Sequence, residues 1–211
     1  LLLWHHKLGH IAFDLCKWLA CEGFLGKDAQ RFGNACPPLC GSCQYGKAKR
    51  LPTKGAIHKV NPATDGALKR DVLQPGQGVA MDQYKVSVRG RLEHTFGKEA
   101  SADWYVGGTI FVDLASGFMF LKHQASLSAL ETICSKLQFE RTACSCGVFV
   151  QRYHSDNGVF TAKDFVTELE EKDQGLTLSG VGAHHQNGVA ERAIGVIVAK
   201  ARTMLLFAML C

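Results

Sequence analysis

The sequence contains no long uninterrupted apolar run. No stretch reaches the roughly 18 apolar residues that predict a membrane-spanning helix. The N-terminal segment is interrupted early by His5, His6, Lys7 and His10, which is not typical of a secretory signal peptide. The sequence therefore predicts no membrane partner.

A regular spacing of cysteines is also missing. The chain has nine cysteines, an odd number, and the distances between them do not repeat. The disulfide framework of a small secreted domain is therefore not favoured. We expect a reduced, intracellular setting in which some cysteines bind metal.

The composition shows no strong bias. Hydrophobic residues make up 46% of the 211 residues, which allows a packed core and argues against a disordered chain. The length suits one domain plus a smaller module. The net charge of +5 and the pI near 8.7 weakly favour a nucleic-acid partner, although many other proteins are equally basic. Because the first residue is not Met, we expect the chain to be part of a longer open reading frame or polyprotein.

Three acidic residues stand at or near the ends of predicted elements. Asp156 follows an apolar run that is typical of a strand, and Asp82 lies in another predicted strand, where aspartate is uncommon. Glu191 follows the breakers Asn187 and Gly188 and stands in the first turn of a long amphipathic helix. Carboxylates on a rigid scaffold suit Mg²⁺ or Mn²⁺, and two such ions form a phosphoryl-transfer site.

Each acid also has an ordinary structural interpretation. A lone aspartate at a strand end is usually a turn residue or a helix cap, and we expect this of Asp113, which precedes the turn residues 115–117. Glu191 alone would be a solvated acid that the helix dipole favours. Three clustered carboxylates, however, repel one another when no cation is present, so such a cluster is unattractive as plain structure.

The N-terminal region carries a second group of potential metal ligands. His5 and His10 are separated by four residues, and Cys40 and Cys43 by two. A Cys-x2-Cys pair places two thiolates on a tight knuckle, and a His pair about one helical turn apart can complete a tetrahedral zinc site. The spacing therefore predicts that these four residues bind Zn²⁺.

Two other interpretations of this region remain open. His6 and Cys36 are rival ligands whose spacing fits less well. Alternatively, the cysteines are ordinary small hydrophobic residues and the histidines lie on the surface.

The motifs around the acids resemble those of a known family. Ser-Asp-Asn-Gly at 155–158, followed by Gln-Asn-Gly-Val-Ala-Glu-Arg at 186–192, is similar to the integrase core of copia-type LTR retrotransposons. The His and Cys pairs with Gly46 and Lys47 resemble the pre-integrase zinc module that precedes this core. Four motifs occur in the family's order. Because the first lies near the N-terminus and the last near the C-terminus, the resemblance extends over nearly the whole chain. The chain departs from the family pattern at residues 159–160 and 184–185, and the latter bear on the loop before Glu191.

The resemblance implies a polynucleotidyl transferase with an Asp-Asp-Glu triad at Asp82, Asp156 and Glu191. Such an enzyme processes the 3′ ends of the element's DNA and joins them to target DNA by two-metal phosphoryl transfer. The implied partners are double-stranded DNA and further copies of the chain. The implied location is a cytoplasmic particle and then the nucleus. DNA contacts are expected at five positions, with a solvated helix face as the alternative for the last two: His185, Gln186, Asn187, Lys200 and Arg202.

The predicted organisation is a zinc-binding module at 1–50, a linker at 51–78 and a catalytic core at 79–211, truncated at its C-terminus. The core has strands predicted at 79–88, 104–114, 118–122, 148–153 and 176–178, with a charged loop at 89–103. From pattern alone this is a mixed α/β sheet; the resemblance implies a ribonuclease H-like fold with flanking helices.

Four helices have predicted inward faces. The first has Ile11, Leu15, Trp18 and Leu19, and the second has Leu127, Leu130, Cys134 and Leu137. The third has Phe165, Val166 and Leu169 after a Thr161 cap, and the last has Ala190, Ile194, Ile197, Ala201, Met204 and Ala208.

Two other functions are kept as alternatives. One is an inactive or truncated transposon relic that only binds nucleic acid. The other is a nuclease of the same fold that cleaves RNA–DNA hybrids, which the zinc-type spacing and the motif at 186–192 disfavour.

Overall fold

The computed structural model of the protein describes residues 1–48, 73–90, 104–180 and 187–210. The chain divides into two compact units, one formed by Leu1–Val60 with Gly195–Cys211 and the other by Asn61–Ile194. The predicted core at 79–211 differs from this division at its C-terminal end, and the predicted domain boundaries stay a prediction. The predicted linker and charged loop lie largely outside the described residues.

The first unit contains three short helices. They are α1 (Leu2–Lys7), α2 (Phe13–Cys21) and α3 (Gly41–Gly46), with a 3-10 helix over Lys27–Phe32. Helix α2 buries Cys16 and Ala20, whereas Leu15 and Trp18 are 46% and 53% exposed. The predicted face of α2 was wrong because the small residues, four positions apart, form the packed stripe instead of the large ones.

The second unit is built on a mixed five-stranded sheet in the order β3-β2-β1-β4-β5. The strands are β1 (Val79–Gly90), β2 (Tyr105–Asp113), β3 (Met119–Gln124), β4 (Arg152–Ser155) and β5 (Gly175–Leu178). Strands β1 to β3 form an antiparallel meander, and β4 and β5 extend it in parallel from β1. The other helices are α4 (Ala129–Ser145), α5 (Lys163–Glu171) and α6 (Gly188–Leu210), and the part of α6 from Gly195 onward belongs to the first unit. This arrangement confirms the predicted ribonuclease H-like mixed sheet with flanking helices.

Aromatic and aliphatic side chains from the sheet and its helices form one core: Val79, Met81, Phe111, Phe139, Val150, Tyr153, Phe160, Phe165 and Leu169. Phe165 and Leu169 lie in it as predicted for α5. Thr161 does not cap that helix, because the N-cap position is occupied by Ala162, which makes no side-chain bond. The hydroxyl of Thr161 instead donates to the carbonyl of Gly158 at 2.9 Å.

Helix α4 turns a different face to the interior from the one predicted. Leu130 is 67% exposed, and Cys134 is exposed as well. The buried positions include Thr132 and Lys136. The predicted face was wrong because these polar side chains find partners inside: the Thr132 hydroxyl accepts a hydrogen bond from Gln83 Nε2 at 2.8 Å.

The stripe predicted for α6 is correct at Ala190 and wrong in its later turns. Met204 is 52% exposed, whereas Thr203 is fully buried. Thr203 packs against Gly46 within the first unit, where a Cβ on Gly46 would come within 2.3 Å of the Thr203 hydroxyl. Because there is no room for a Cβ at residue 46, glycine is required there and the facing residue of α6 must be small. The hydrophobic pattern alone therefore predicted the wrong buried face for the later turns of α6. No helix within the described residues is long and apolar enough to cross a membrane.

Asp113 ends β2 and acts as a turn residue, as predicted. Its Oδ2 accepts hydrogen bonds from the Ser116 amide at 2.7 Å and the Ser116 hydroxyl at 2.6 Å. Its Oδ1 accepts from the Gly76 amide at 2.9 Å. Both oxygens are thus used by the backbone and the turn.

Candidate active site and metal centre

The register of two parallel strands brings Asp82 and Asp156 together. The pairing of β1 with β4 ends at Ala80 and His154. Asp82 lies two residues beyond Ala80, and Asp156 lies two residues beyond His154, directly after β4. Because side chains alternate along a strand and paired strands run about 4.8 Å apart, both aspartates start from the same side of the sheet where the strands part.

Glu191 joins them from α6. It is the fourth residue of that helix, and Ala190 and Ala193 beside it are buried. The three acids line one cavity of about 170 Å³, here called the acid cavity. Its other lining residues are Asn157, Gly158, Ser179, Gly180 and Asn187.

Local hydrogen bonds orient both aspartate side chains. Asp82 Oδ1 accepts from the amide of the next strand residue, Gln83, at 2.8 Å, and Asp156 Oδ1 accepts from the Gly158 amide at 3.2 Å. Neither of these bonds uses the Oδ2 atom. The carboxylates are therefore oriented before any ligand binds.

Burial and neighbouring negative charge make Asp82 difficult to ionise. Burial is the larger cause, the charge of Asp156 adds to it, the Gln83 amide opposes it, and Glu191 adds a smaller repulsion; together they raise the pKa of Asp82 to about 6. Both other acids thus act on Asp82 electrostatically. A divalent cation would supply the missing positive charge, and a set of carboxylate oxygens fits a hard ion such as Mg²⁺ or Mn²⁺.

The three acids share the wall of the acid cavity. In a two-metal site the ligands are spread over two cations about 4 Å apart, so the acids need not converge on one point.

The predicted DNA-contacting residues fall into three groups. His185 and Gln186 lie outside the described residues. Asn187 is only 3% exposed and forms part of the wall of the acid cavity. Lys200 is half-buried and Arg202 is exposed on α6.

Two residues of the cavity wall were missed in the sequence. Asn157 Nδ2 donates to the Ser179 carbonyl at 3.2 Å, and the Ser179 amide donates to the Ser155 carbonyl at 2.8 Å. These bonds tie the ends of β4 and β5 together beside Asp156. Asn157 stands in the Ser-Asp-Asn-Gly motif and could have been selected, whereas nothing near Ser179 in the sequence marks it.

Four side chains of the first unit meet in what we call the His/Cys cluster. His5 Nε2 lies 3.2 Å from His10 Nδ1 and 3.2 Å from Cys43 Sγ. His10 Nδ1 lies 3.5 Å from the sulfurs of both Cys40 and Cys43. A tetrahedron with ordinary zinc–nitrogen and zinc–sulfur bonds has edges of about 3.4 Å between nitrogens and about 3.6 Å between nitrogen and sulfur. The separations are close to these values, so the cluster fits Zn²⁺.

The backbone orients both histidines. His5 Nδ1 donates to the Ile11 carbonyl at 2.7 Å, which leaves Nε2 facing the cluster, as is usual for metal-binding histidines. His10 has a φ of 59°, an uncommon value for a residue other than glycine, and follows Gly9 at 67°. The prediction that His5 and His10 lie one helical turn apart was wrong: α1 ends at Lys7, and this left-handed turn brings His10 back to His5.

His6 competes with Cys43 for the fourth position. His5, His6, His10 and Cys40 each offer one ligand atom within 4.8 Å of the others. The contact of His6 Nε2 with Cys40 Sγ is 3.8 Å, longer than either contact of Cys43 with the histidines. Both sets of distances lie near the nitrogen–sulfur edge of about 3.6 Å expected for zinc, and Cys43 is kept as the fourth ligand for its Cys-x2-Cys spacing with Cys40. Cys36 is exposed and does not belong to this group of described residues.

Burial also sets the protonation of the cluster. It lowers the pKa of His5 and of His10, which keeps both imidazoles in the neutral form that binds metal. It raises the pKa of the Cys43 thiol, so that metal binding would have to displace a proton there. Lys47 Nζ donates to the His10 carbonyl at 2.9 Å and supports the left-handed turn.

No protein-family model and no curated protein matches the chain. Solved structures that it resembles include the HTLV-2 integrase catalytic core domain in complex with magnesium, in trimeric and dimeric forms. Both give 20% identity and a TM-score of 0.42 over 59% of this chain, and cover 68% and 69% of those chains. A simian T-cell lymphotropic virus intasome in complex with PP2A regulatory subunit B56 gamma gives 16% identity and a TM-score of 0.45. That match covers 91% of this chain but only 56% of the intasome chain. Because these similarities are low, the fold assignment rests on the order and the directions of the strands in the sheet.

Proposed function

We propose that the chain is the integrase region of a copia-type LTR retrotransposon polyprotein, which joins element DNA to target DNA by phosphoryl transfer. The main support is the meeting of Asp82, Asp156 and Glu191 at the acid cavity. They come from β1, the end of β4 and the start of α6. The motifs around these acids resemble those of that family, and the meeting of the three carboxylates favours metal-dependent phosphoryl transfer.

Asp82 has the central role in this proposal. Both other acids repel it, whereas its strand is paired with β2 at Asp82 itself and with β4 up to Ala80, so it cannot easily move away. Asp82 would hold both cations, Asp156 one and Glu191 the other. Bound there, the cations would activate the attacking oxygen and stabilise the leaving oxygen at phosphorus. The hydrogen bonds from the Gln83 and Gly158 amides would hold the aspartates in place for this task.

The first unit would hold one Zn²⁺ through His5, His10, Cys40 and Cys43. Closed four-ligand sites of this kind are structural, and their binding free energy is folding free energy. The module would thus stabilise the first unit without taking part in the chemistry.

Double-stranded DNA would be the substrate, as element ends and as target, and the working form would be a homo-oligomer. Contacts would come from His185, Gln186, Lys200 and Arg202, with Asn187 reached through the cavity. The protein would act in a cytoplasmic particle and then in the nucleus.

A strand-transfer assay tests the proposal. Purified protein, a labelled duplex carrying a recessed 3′ end of the element and a target plasmid are incubated with Mg²⁺ or Mn²⁺. Joined product should form and should disappear with Asp82→Asn. The exposed first-turn residue of α5 provides the matched control, so Asp164→Asn should retain activity. DNA binding without any joined product would favour the relic, and cleavage restricted to RNA–DNA hybrids would favour the nuclease.

A further inference from the structure

Of the two polar atoms in the Asn187 side chain, one has a hydrogen-bond partner among the described residues. It lies immediately before α6 and is 3% exposed. Its Nδ2 donates to the Met81 carbonyl at 3.2 Å. Because a carbonyl can only accept, this contact fixes which end of the amide faces β1. Oδ1 therefore faces away from Met81, and among the described residues no group donates to it.

A buried acceptor without a partner is uncommon in folded proteins and calls for a physical reason. Asn187 forms part of the wall of the acid cavity together with Asp82, Asp156 and Glu191. Its Oδ1, to which no described residue donates, thus adds an acceptor to a wall that already carries three carboxylates. A ligand that satisfies this wall must be a cation or a hydrogen-bond donor. The cavity, of about 170 Å³, has room for several waters at about 30 Å³ each.

We propose that Asn187 is a positioning residue for the cation site: its Oδ1 accepts a hydrogen bond from a water on a divalent cation, and its Nδ2 anchors the start of α6 to β1. The inference rests on the proposed function, because the cation is the one held by the three acids. Mg²⁺ and Mn²⁺ keep several waters when carboxylates bind them, and these waters need acceptors.

The anchor also sets the position of Glu191. Glu191 lies four residues beyond Asn187, which is about one helical turn. Met81, which receives the Nδ2 bond, is adjacent to Asp82 in β1. One side chain thus fixes the spacing between the helix that carries Glu191 and the strand that carries Asp82.

The inference is tested by measuring how tightly the whole chain binds Mn²⁺ in the absence of DNA. The relaxation rate of water protons reports the fraction of Mn²⁺ that is bound. Asn187→Ala should weaken Mn²⁺ binding about 10-fold or more, as is typical when a residue that supports metal ligands is removed. Its metal-free melting temperature should change little, because loss of the bond to the Met81 carbonyl is offset by removal of a buried oxygen to which no described residue donates. Asn187→Asp should keep Mn²⁺ binding, since it retains an oxygen. It should melt earlier without metal, because a carboxylate then faces the Met81 carbonyl.

Asp82→Asn separates this inference from the function on which it rests. If Asp82→Asn loses Mn²⁺ binding and Asn187→Ala binds within about twofold of the unaltered chain, Asn187 is merely structural and the inference is overturned. If Asp82→Asn binds Mn²⁺ as well as the unaltered chain, the acid site itself is wrong and the proposed function falls with it.

Discussion

The ammonium of Lys136 lies 3.0 Å from the carboxylate of Glu140, one turn farther along α4, and the Lys136 side chain is fully buried. Glu168 of α5 also pairs with Lys136, and Lys172 binds both glutamates from a position that is 38% exposed. Burial alone would raise the pKa of Glu140, but hydrogen bonds, led by that from Lys172, lower it to about 2. The network ties α4 to α5 beside the core.

Lys136→Met should destabilise the second unit strongly, because it leaves two partly buried carboxylates without their inner cation. Loss of one partner of a buried ion pair costs about 3–5 kcal/mol. Lys172→Met is the matched control: its ammonium is partly exposed and should contribute about 1 kcal/mol or less. Urea denaturation of both variants measures the difference, and equal losses would contradict the structure.

The low pKa of Glu140 predicts acid sensitivity. Its folded pKa lies below its ordinary value of 4.5, so its contribution is fully present above that value and is lost as the pH falls towards about 2. Glu140→Gln should therefore narrow the difference in stability between pH 6 and pH 3. Thermal melts of metal-free protein across that window provide the measurement, and an unchanged slope would count against the network.

Asp82 should show the opposite dependence on pH. Because its folded pKa is raised to about 6, the folded protein binds an extra proton between about pH 4 and pH 6, and its stability falls as the pH rises through that window. Metal-free Asp82→Asn should therefore be more stable at pH 7 by roughly 1–2 kcal/mol, a value reduced for partial solvent exposure. The gain should vanish below pH 4; a gain that is equal at all pH values would point to another cause.

The three acids should behave as one unit in catalysis. Asp82→Asn and Glu191→Gln should each lower strand transfer by orders of magnitude, and the double variant should be little worse than either single variant, because residues that act together lose activity non-additively. Joined product per hour, measured with Mn²⁺, is the readout. Losses that multiply would indicate that the two acids act independently.

Zinc should bind once per chain and support the first unit. Cys43→Ser should lower the zinc content and the melting temperature of that unit, because the tetrahedron loses a thiolate. His6→Ala is the matched control and should retain zinc. Metal analysis of both purified variants decides between the two ligand sets. If His6→Ala contains no zinc and Cys43→Ser retains it, the fourth ligand is His6 and not Cys43.

DNA binding should weaken as salt rises, because the positive charge is dispersed and the expected contacts are to phosphates. Arg202→Ala should weaken binding similarly for all sequences and lower the salt slope by about 1. Lys17→Ala on α2 serves as a charge-matched control. Fluorescence anisotropy with a random duplex at several salt concentrations measures both slopes, and affinity that does not change with salt would exclude phosphate contacts.

Much of the fold was predictable because it depends on the order of elements. Strands β1, β2, β3 and β5 and the helices after β3 and β4 follow from apolar runs and breakers, which act locally. The fourth strand was predicted at 148–153, but β4 occupies Arg152–Ser155. The faces of α2 and α4 were not predictable in this way. Large residues such as Trp18 and Leu130 are exposed, while Lys136 is buried because Glu140 and Glu168 neutralise it. Those partners come together only in the folded chain.

The candidate site shows the same division. Motif spacing selected Asp82, Asp156 and Glu191, and also His5 and His10. It did not select Ser179, whose place beside Asp156 depends on the pairing of β4 with β5. It also misjudged how His10 reaches His5, because the left-handed turn at Gly9 follows from backbone geometry that spacing does not encode.

The short pairing between β1 and β4 makes the acid cavity sensitive to insertions and deletions. Strand β4 has only four residues, and its side chains alternate between the two sides of the sheet. Deletion of one residue within β4 would shift Asp156 to the opposite side while leaving the Ser-Asp-Asn-Gly motif unchanged. Among related sequences, an intact motif is therefore not enough to predict an intact acid cavity; the length of the segment between α4 and Asp156 must be counted as well.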